Sequence, residues 1–148
     1  SVFRGQHRRG IFLGRTLDAI GDVARQRGQI ERAVAVGREA LAILEKEGGA
    51  DHPFSLLAAV HTGAALWAAG QAAEGERLLR AGLGGLEREF PGGHFDLASA
   101  RVLLAERLAL SGRGTEALPL LRQALEWRQA HLGSADPRTA AARRALDS

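Results

Sequence analysis

The residues of this 148-residue chain best suited to proton transfer or metal binding are His7, His52, His61, His94 and His131, and their spacing serves neither purpose. A helical zinc site sets two histidines around a glutamate, and structural zinc sites pair histidine with cysteine. No His-Glu-x-x-His occurs here, and the chain has no cysteine, so disulfides and thiolate nucleophiles are excluded as well. A Gly-x-Ser-x-Gly elbow, a Walker loop and a dinucleotide fingerprint are all absent. The glycine-rich Gly82-Leu83-Gly84-Gly85 lies in a helix-patterned segment that cannot cradle a phosphate. No catalytic residue, metal or cofactor is expected.

The net charge is +3 and the pI about 10.8, which raises the question of nucleic acid. Basic and acidic residues are interspersed through most of the chain, and Lys46 is the only lysine. Only Arg4, Arg8, Arg9 and Arg15, ahead of the first acid at Asp18, form a one-sign cluster. It reads as a solvated end rather than a phosphate-binding arm, so nucleic acid is not an expected partner. No apolar run approaches the roughly 18 residues of a membrane span and no signal peptide is visible, so no membrane partner is expected. The lack of cysteine suits a reducing, cytoplasmic setting. The missing initial Met suggests a piece of something longer.

What positions these residues is a repeat. Gly28, Gly70 and Gly112 follow one another at intervals of 42 residues, without insertion. Five residues after each glycine stands Ala33, Gly75 or Ala117, and twelve after it Ala40, Gly82 or Ala124, all small enough to let helix backbones approach. Val36, Leu78 and Leu120 at offset eight and Leu41, Leu83 and Leu125 at thirteen complete an apolar stripe at three-to-four spacing, the mark of an amphipathic helix. Before each glycine, Gly21, Gly63 and Ala105 at minus seven and Ala24, Leu66 and Leu108 at minus four define a second helix. Strand-forming runs of Val, Ile, Thr and Tyr are missing, so the class is all-α. His52 and His94 share one column, one unit apart, and read as loop or helix-cap residues rather than as one site.

The period places helix pairs over 12–27 and 30–47, 54–69 and 72–90, and 95–111 and 115–131. Thr115 is an expected N-cap, and Pro119 is close enough to its helix start to remove about one hydrogen bond. Projected backward, residues 1–8 become the end of a preceding unit and 9–11 a loop. One domain of three units, 12–53, 54–95 and 96–137, is expected, closed by a capping helix over 138–146.

Antiparallel helix pairs around a small-residue contact resemble the tetratricopeptide repeat, whose signature places Leu-Gly, an aromatic, then Ala and a bulky residue at these offsets. The closing segments Asp51-His52-Pro53 and Ala135-Asp136-Pro137 look like those of kinesin-light-chain-type repeats with their longer period. Departures are Ala24, Leu66 and Leu108 at the aromatic position, and Ala59 and Arg101 at minus eleven. HEAT and armadillo repeats have similar periods and stay open as alternatives. The resemblance implies a right-handed α-solenoid whose first helices line a concave groove that binds a protein or peptide partner. Minus ten, nine, six and three would point into it: Asp18, Ala19, Asp22 and Arg25, then Val60, His61, Ala64 and Trp67, then Val102, Leu103, Glu106 and Ala109. The asparagines that grip a peptide backbone in such repeats do not occur in this chain. Val60, Trp67, Val102 and Leu103 with Asp18, Asp22, Arg25, His61 and Glu106 around them instead suit an apolar anchor with a charged rim. Alternative readings are a sensor or linker array of a nucleic-acid-binding or nucleotide-hydrolysing regulator, and self-association through the groove.

Overall fold

The structure, a computed structural model, describes residues 2–132 and 137–147. Ala135 and Asp136 of the third closing segment lie outside them. Among the described residues the chain forms seven helices: α1 (Val2–Gln26), α2 (Ile30–Gly48), α3 (Pro53–Ala68), α4 (Ala72–Glu89), α5 (Phe95–Leu110), α6 (Gly114–Leu132) and α7 (Pro137–Asp147). They group into two compact units, Ser1–Gly85 and Leu86–Ser148. In a repeat array each element meets only its neighbours, so no single core ties the ends together.

The turn glycines do what their spacing implies. Gly28, Gly70 and Gly112 have φ of 78°, 92° and 78°, a left-handed conformation that strains any residue with a Cβ. The next amide in each case donates back to the carbonyl at minus four: Gln29 to Ala24 at 2.8 Å, Gln71 to Leu66 at 3.0 Å and Arg113 to Leu108 at 2.8 Å. That hydrogen bond closes the first helix of every pair. At the opposite ends, His52 Nδ1 accepts from the Phe54 amide at 3.1 Å and His94 Nδ1 from the Asp96 amide at 3.0 Å. The shared histidine column is an N-cap. His52→Ala is therefore expected to cost about 1 kcal/mol, as loss of other N-cap acceptors does; an unchanged thermal midpoint would count against the cap.

Two expectations about the ends of helices are corrected. Residues 2–11 do not form a separate element: α1 runs unbroken from Val2 to Gln26. Gly10 and Gly14 lie where a Cβ would meet Glu47 and Leu44, so the early turns pack along α2 like the later ones, and His7 reaches Glu47 at 3.3 Å. Gly10 reads as a loop residue by period alone, but here its bareness makes room for a neighbour. Thr115 is not an N-cap, since α6 already begins at Gly114.

The buried stripe of the second helices also differs from its expected columns. Offsets five and twelve are buried in all three repeats, but most of the larger buried residues stand at nine and sixteen, Leu79, Leu121, Leu44 and Leu86, with Leu83 at thirteen. At eight, Val36, Leu78 and Leu120 are only half-buried. Nine and sixteen keep the three-to-four spacing from five and twelve, whereas eight drifts towards the flank; at thirteen Leu83 is buried as expected, and Leu41 and Leu125 are half-buried. Arg128 takes the sixteenth column in unit 2 and is still 5% exposed, because its Nη1 donates to the Arg138 carbonyl at 2.7 Å, where α7 begins. Arg138 in turn lies over the Phe95 ring at 4.2 Å, and Phe95 meets Trp127 edge-on at 5.2 Å. These contacts seat α7 on α5 and α6.

Unit 1 is built on glycine. A Cβ on Gly63 would stand 2.6 Å from the Leu79 nitrogen, and one on Gly75 2.6 Å from the Gly63 carbonyl oxygen. Backbone therefore touches backbone between α3 and α4, and Gly82 repeats the contact against Leu56 and Val60.

Candidate functional site

Unit 1 brings four of the expected residues together between α1 and α3. Asp18, Asp22 and Arg25 stand at i, i+4 and i+7, one face of α1, and His61 faces them from α3. His61 Nδ1 lies 3.0 and 3.1 Å from the two carboxylate oxygens of Asp18, and Nε2 lies 3.9 Å from Asp22 Oδ1. Arg25 donates to Asp22 through Nη2 at 2.9 Å, and Gln26 donates to the other Asp22 oxygen at 2.9 Å. Burial by itself lowers the His61 pKa, but the hydrogen bond to Asp18 and the charges of Asp18 and Asp22 outweigh it, against a smaller opposing effect of Arg25. The net shift is upward from 6.5. The cluster links two first helices with a charge-assisted bond, so its polar groups are largely answered by one another.

Val60 and Trp67 are not part of an open surface. Val60 is 0% and Trp67 8% exposed. The Gly82 position abuts the Val60 side chain, and Gly75 abuts the backbone of Trp67, so α4 sits down on this part of α3. The close glycine contacts turn two expected anchor residues into packing residues.

In unit 2, Val102 and Leu103 are half-buried on α5 and Glu106 is exposed. Beside Glu106 is an apolar cavity of about 260 Å³, lined by Ala105, Glu106, Ala109, Leu110, Leu121 and Ala145. Leu110 is 74% exposed at its edge. This leucine went unnoticed in the sequence, although there was a signal: at minus two the other repeats have Gln26 and Ala68, both exposed, so a leucine there is not required by packing. Among the described residues no three His, Cys, Asp or Glu side chains gather in a way that could hold a metal ion, and no helix is long and apolar enough to cross a membrane.

No curated protein matches the chain in sequence. Among solved structures, it is similar to a single-substitution form of a Podosopora anserina protein described as a kinesin light chain with nearly identical TPR-like repeats. The two are 24% identical with a TM-score of 0.65, over 88% of this chain and 61% of that one. A second structure of those repeats gives 24% identity and a TM-score of 0.62, over 88% of this chain and 62% of that one. The chain thus spans about three fifths of the length of these structures, and the likeness establishes an all-α, solenoid-type repeat fold. Repeats of this kind generally mediate protein–protein interaction. The tetratricopeptide repeat model matches residues 13–54 and 97–138. These two segments begin two 42-residue periods apart and flank a central unit that keeps the same register through Gly70. With more than half of its residues matched and the helix pairs in place, the chain belongs to the tetratricopeptide repeat family.

Proposed function

We propose that the chain is a non-catalytic interaction module that binds an amphipathic helix or short peptide of a protein partner, with an apolar anchor of that partner seated in the α5–α6–α7 cavity of unit 2. The observation that carries this reading is Leu110, a large apolar side chain 74% exposed beside an apolar cavity, in a column where packing asks for nothing. Glu106 on the border supplies a charged rim, the usual surrounding of a buried anchor. Val102 and Leu103, half-buried about one turn before Glu106, extend the same helix. In unit 1, Asp22 and Arg25 are partly exposed and offer polar contacts of the kind that set register rather than supply most of the affinity.

The test is a peptide selected from a random display library against the whole chain, with its affinity then measured by fluorescence anisotropy. Leu110→Gln is expected to weaken binding about tenfold or more, equivalent to roughly 1.4 kcal/mol, with an unchanged melting curve, because the side chain is already in water. Glu106→Gln should weaken a peptide carrying a basic residue and spare one without. Selected peptides that all bind the Leu110→Gln chain as tightly as the parent would place the anchor elsewhere.

A further inference from the structure

In unit 2 an arginine stands where the other repeats keep apolar residues. Minus eleven holds Leu17 and Ala59 in the first two repeats and Arg101 in the third, and the Arg101 side chain is only 15% exposed. Glu87 Oε2 lies 3.7 Å from its Nη2, within reach of an ion pair but too far for a hydrogen bond. Among the described residues neither Arg101 Nε nor the Trp127 indole nitrogen has a hydrogen-bond acceptor, although both atoms are buried. Buried donors left unanswered are uncommon and call for a reason, and packing supplies none for an arginine in this column. Both side chains line an open cavity of about 600 Å³, a size in the range of small-molecule sites. Phe90, Leu97 and Trp127 give it apolar walls, and the exposed Glu87 and Glu126 add carboxylates. Two of the walls are held in place by ring stacking, Phe90 on His94 at 4.1 Å and Trp127 on His131 at 4.3 Å. The cavity is peculiar to this repeat. One period earlier the columns of Leu97, Arg101 and Trp127 hold Ser55, Ala59 and Gly85, and Leu56 already fills the space of a Gly85 side chain.

Charge decides what fits. The guanidinium asks for a planar acceptor such as a carboxylate, which it can hold through two parallel hydrogen bonds. With two glutamates beside one arginine, a phosphate or any other multiply charged anion would be repelled. A single carboxylate that took the Arg101 fork would leave Glu87 without its cation, unless the ligand brought a cation of its own. An ammonium group next to the carboxylate does that, so that each charge in the cavity keeps an opposite neighbour. We infer that this cavity binds a free α-amino acid with an apolar side chain. Its carboxylate sits on Arg101, its ammonium on Glu87, and its side chain against Phe90, Leu97 and Trp127. A peptide does not offer the same match, because its ammonium and its terminal carboxylate lie at opposite ends of the chain.

The experiment follows the indole N–H cross-peaks of the two tryptophans by NMR as L-phenylalanine is added to the nitrogen-labelled whole chain at neutral pH. The Trp127 cross-peak, identified by its loss in Trp127→Phe, is expected to shift saturably. The cross-peak of Trp67, buried in unit 1, should stay in place. N-acetyl-L-phenylalanine lacks the ammonium and L-phenylalaninamide lacks the carboxylate, so each should bind about tenfold more weakly or worse. These titrations use the parent chain and do not depend on any variant folding. Arg101→Lys keeps the charge but loses the planar fork, and should weaken L-phenylalanine by a similar factor. Leu110→Gln should leave the titration unchanged, which separates this cavity from the one beside Glu106. No saturable shift of Trp127, or N-acetyl-L-phenylalanine binding as tightly as the free amino acid, would overturn the inference. So would a peptide ending in phenylalanine that binds more tightly than the free amino acid, because the cavity would then hold a chain terminus.

Discussion

Replacing Gly75 with valine is expected to destabilise the chain by about 3 kcal/mol, the upper end of what overpacking a close contact costs. A Cβ there would lie 2.5 Å from the Trp67 nitrogen, 2.6 Å from the Gly63 carbonyl oxygen and 2.9 Å from the Trp67 Cα. All three are backbone atoms, so no rotamer change relieves the clash and α4 must move bodily off α3. That movement would also uncover Trp67 and Val60. Gly37→Ala is the informative contrast. Its Cβ would come 2.6 Å from Thr62 Oγ1 and 3.3 Å from Thr62 Cβ, one side chain rather than two backbones, so its loss should be smaller, about 1 to 2 kcal/mol. Gly5→Ala should go the other way, by about 0.5 to 1 kcal/mol, because it lies within α1 with open space around it and glycine loses more backbone entropy than alanine. Urea unfolding of the three variants orders them. A Gly75→Val chain with the parental midpoint would mean that the two backbones do not touch.

The 42-residue register was legible because it rests on backbone geometry. A left-handed glycine and small residues at fixed offsets leave little choice of residue, so Gly28, Gly70 and Gly112 with the Ala33 and Ala40 columns declare the helix pairs directly. Which way a given column faces was less legible. Minus ten holds Asp18 in one repeat and Val60 in the next, and one bonds to His61 while the other is covered by α4. What differs is the partner helix: Gly63, Gly75 and Gly82 let α4 approach closely enough to cover Val60 with backbone and side chains, whereas Asp18, itself only 8% exposed, is covered from α3 by His61. Glycine in those columns says that something comes near, without saying which neighbouring side chains it will cover. Leu110 was missed for the opposite reason. Its column carries no packing constraint, so a search for shared pattern passes over it, although an apolar residue without a structural task is a sign of a partner.

The second large effect is expected from His61, whose ring joins α3 to the Asp18 and Asp22 carboxylates of α1. Removing it as His61→Ala strips a buried carboxylate of its charge-assisted partner, and at about pH 6 this should cost about 2 kcal/mol. The sign of the pH dependence follows from the upward shift of the folded-state pKa, in which the lowering by burial, helped by Arg25, is outweighed by Asp18 and Asp22. The unfolded chain holds its proton less tightly than the folded one, so the contribution is complete below the ordinary value of 6.5. It is lost as the pH rises through the higher folded value. The urea midpoint of the parent should therefore fall as the pH is raised from about 6 to the alkaline side of neutrality. In His61→Gln, which can still donate to Asp18 but cannot titrate, that part of the fall should vanish. In Asp18→Asn the main upward influence is gone and burial remains, so the histidine should favour its neutral form and stability should no longer drop across this range. Superimposable profiles of the parent and His61→Gln chains would mean that the α1–α3 link does not depend on the imidazolium, and that Asp18 is held by geometry alone.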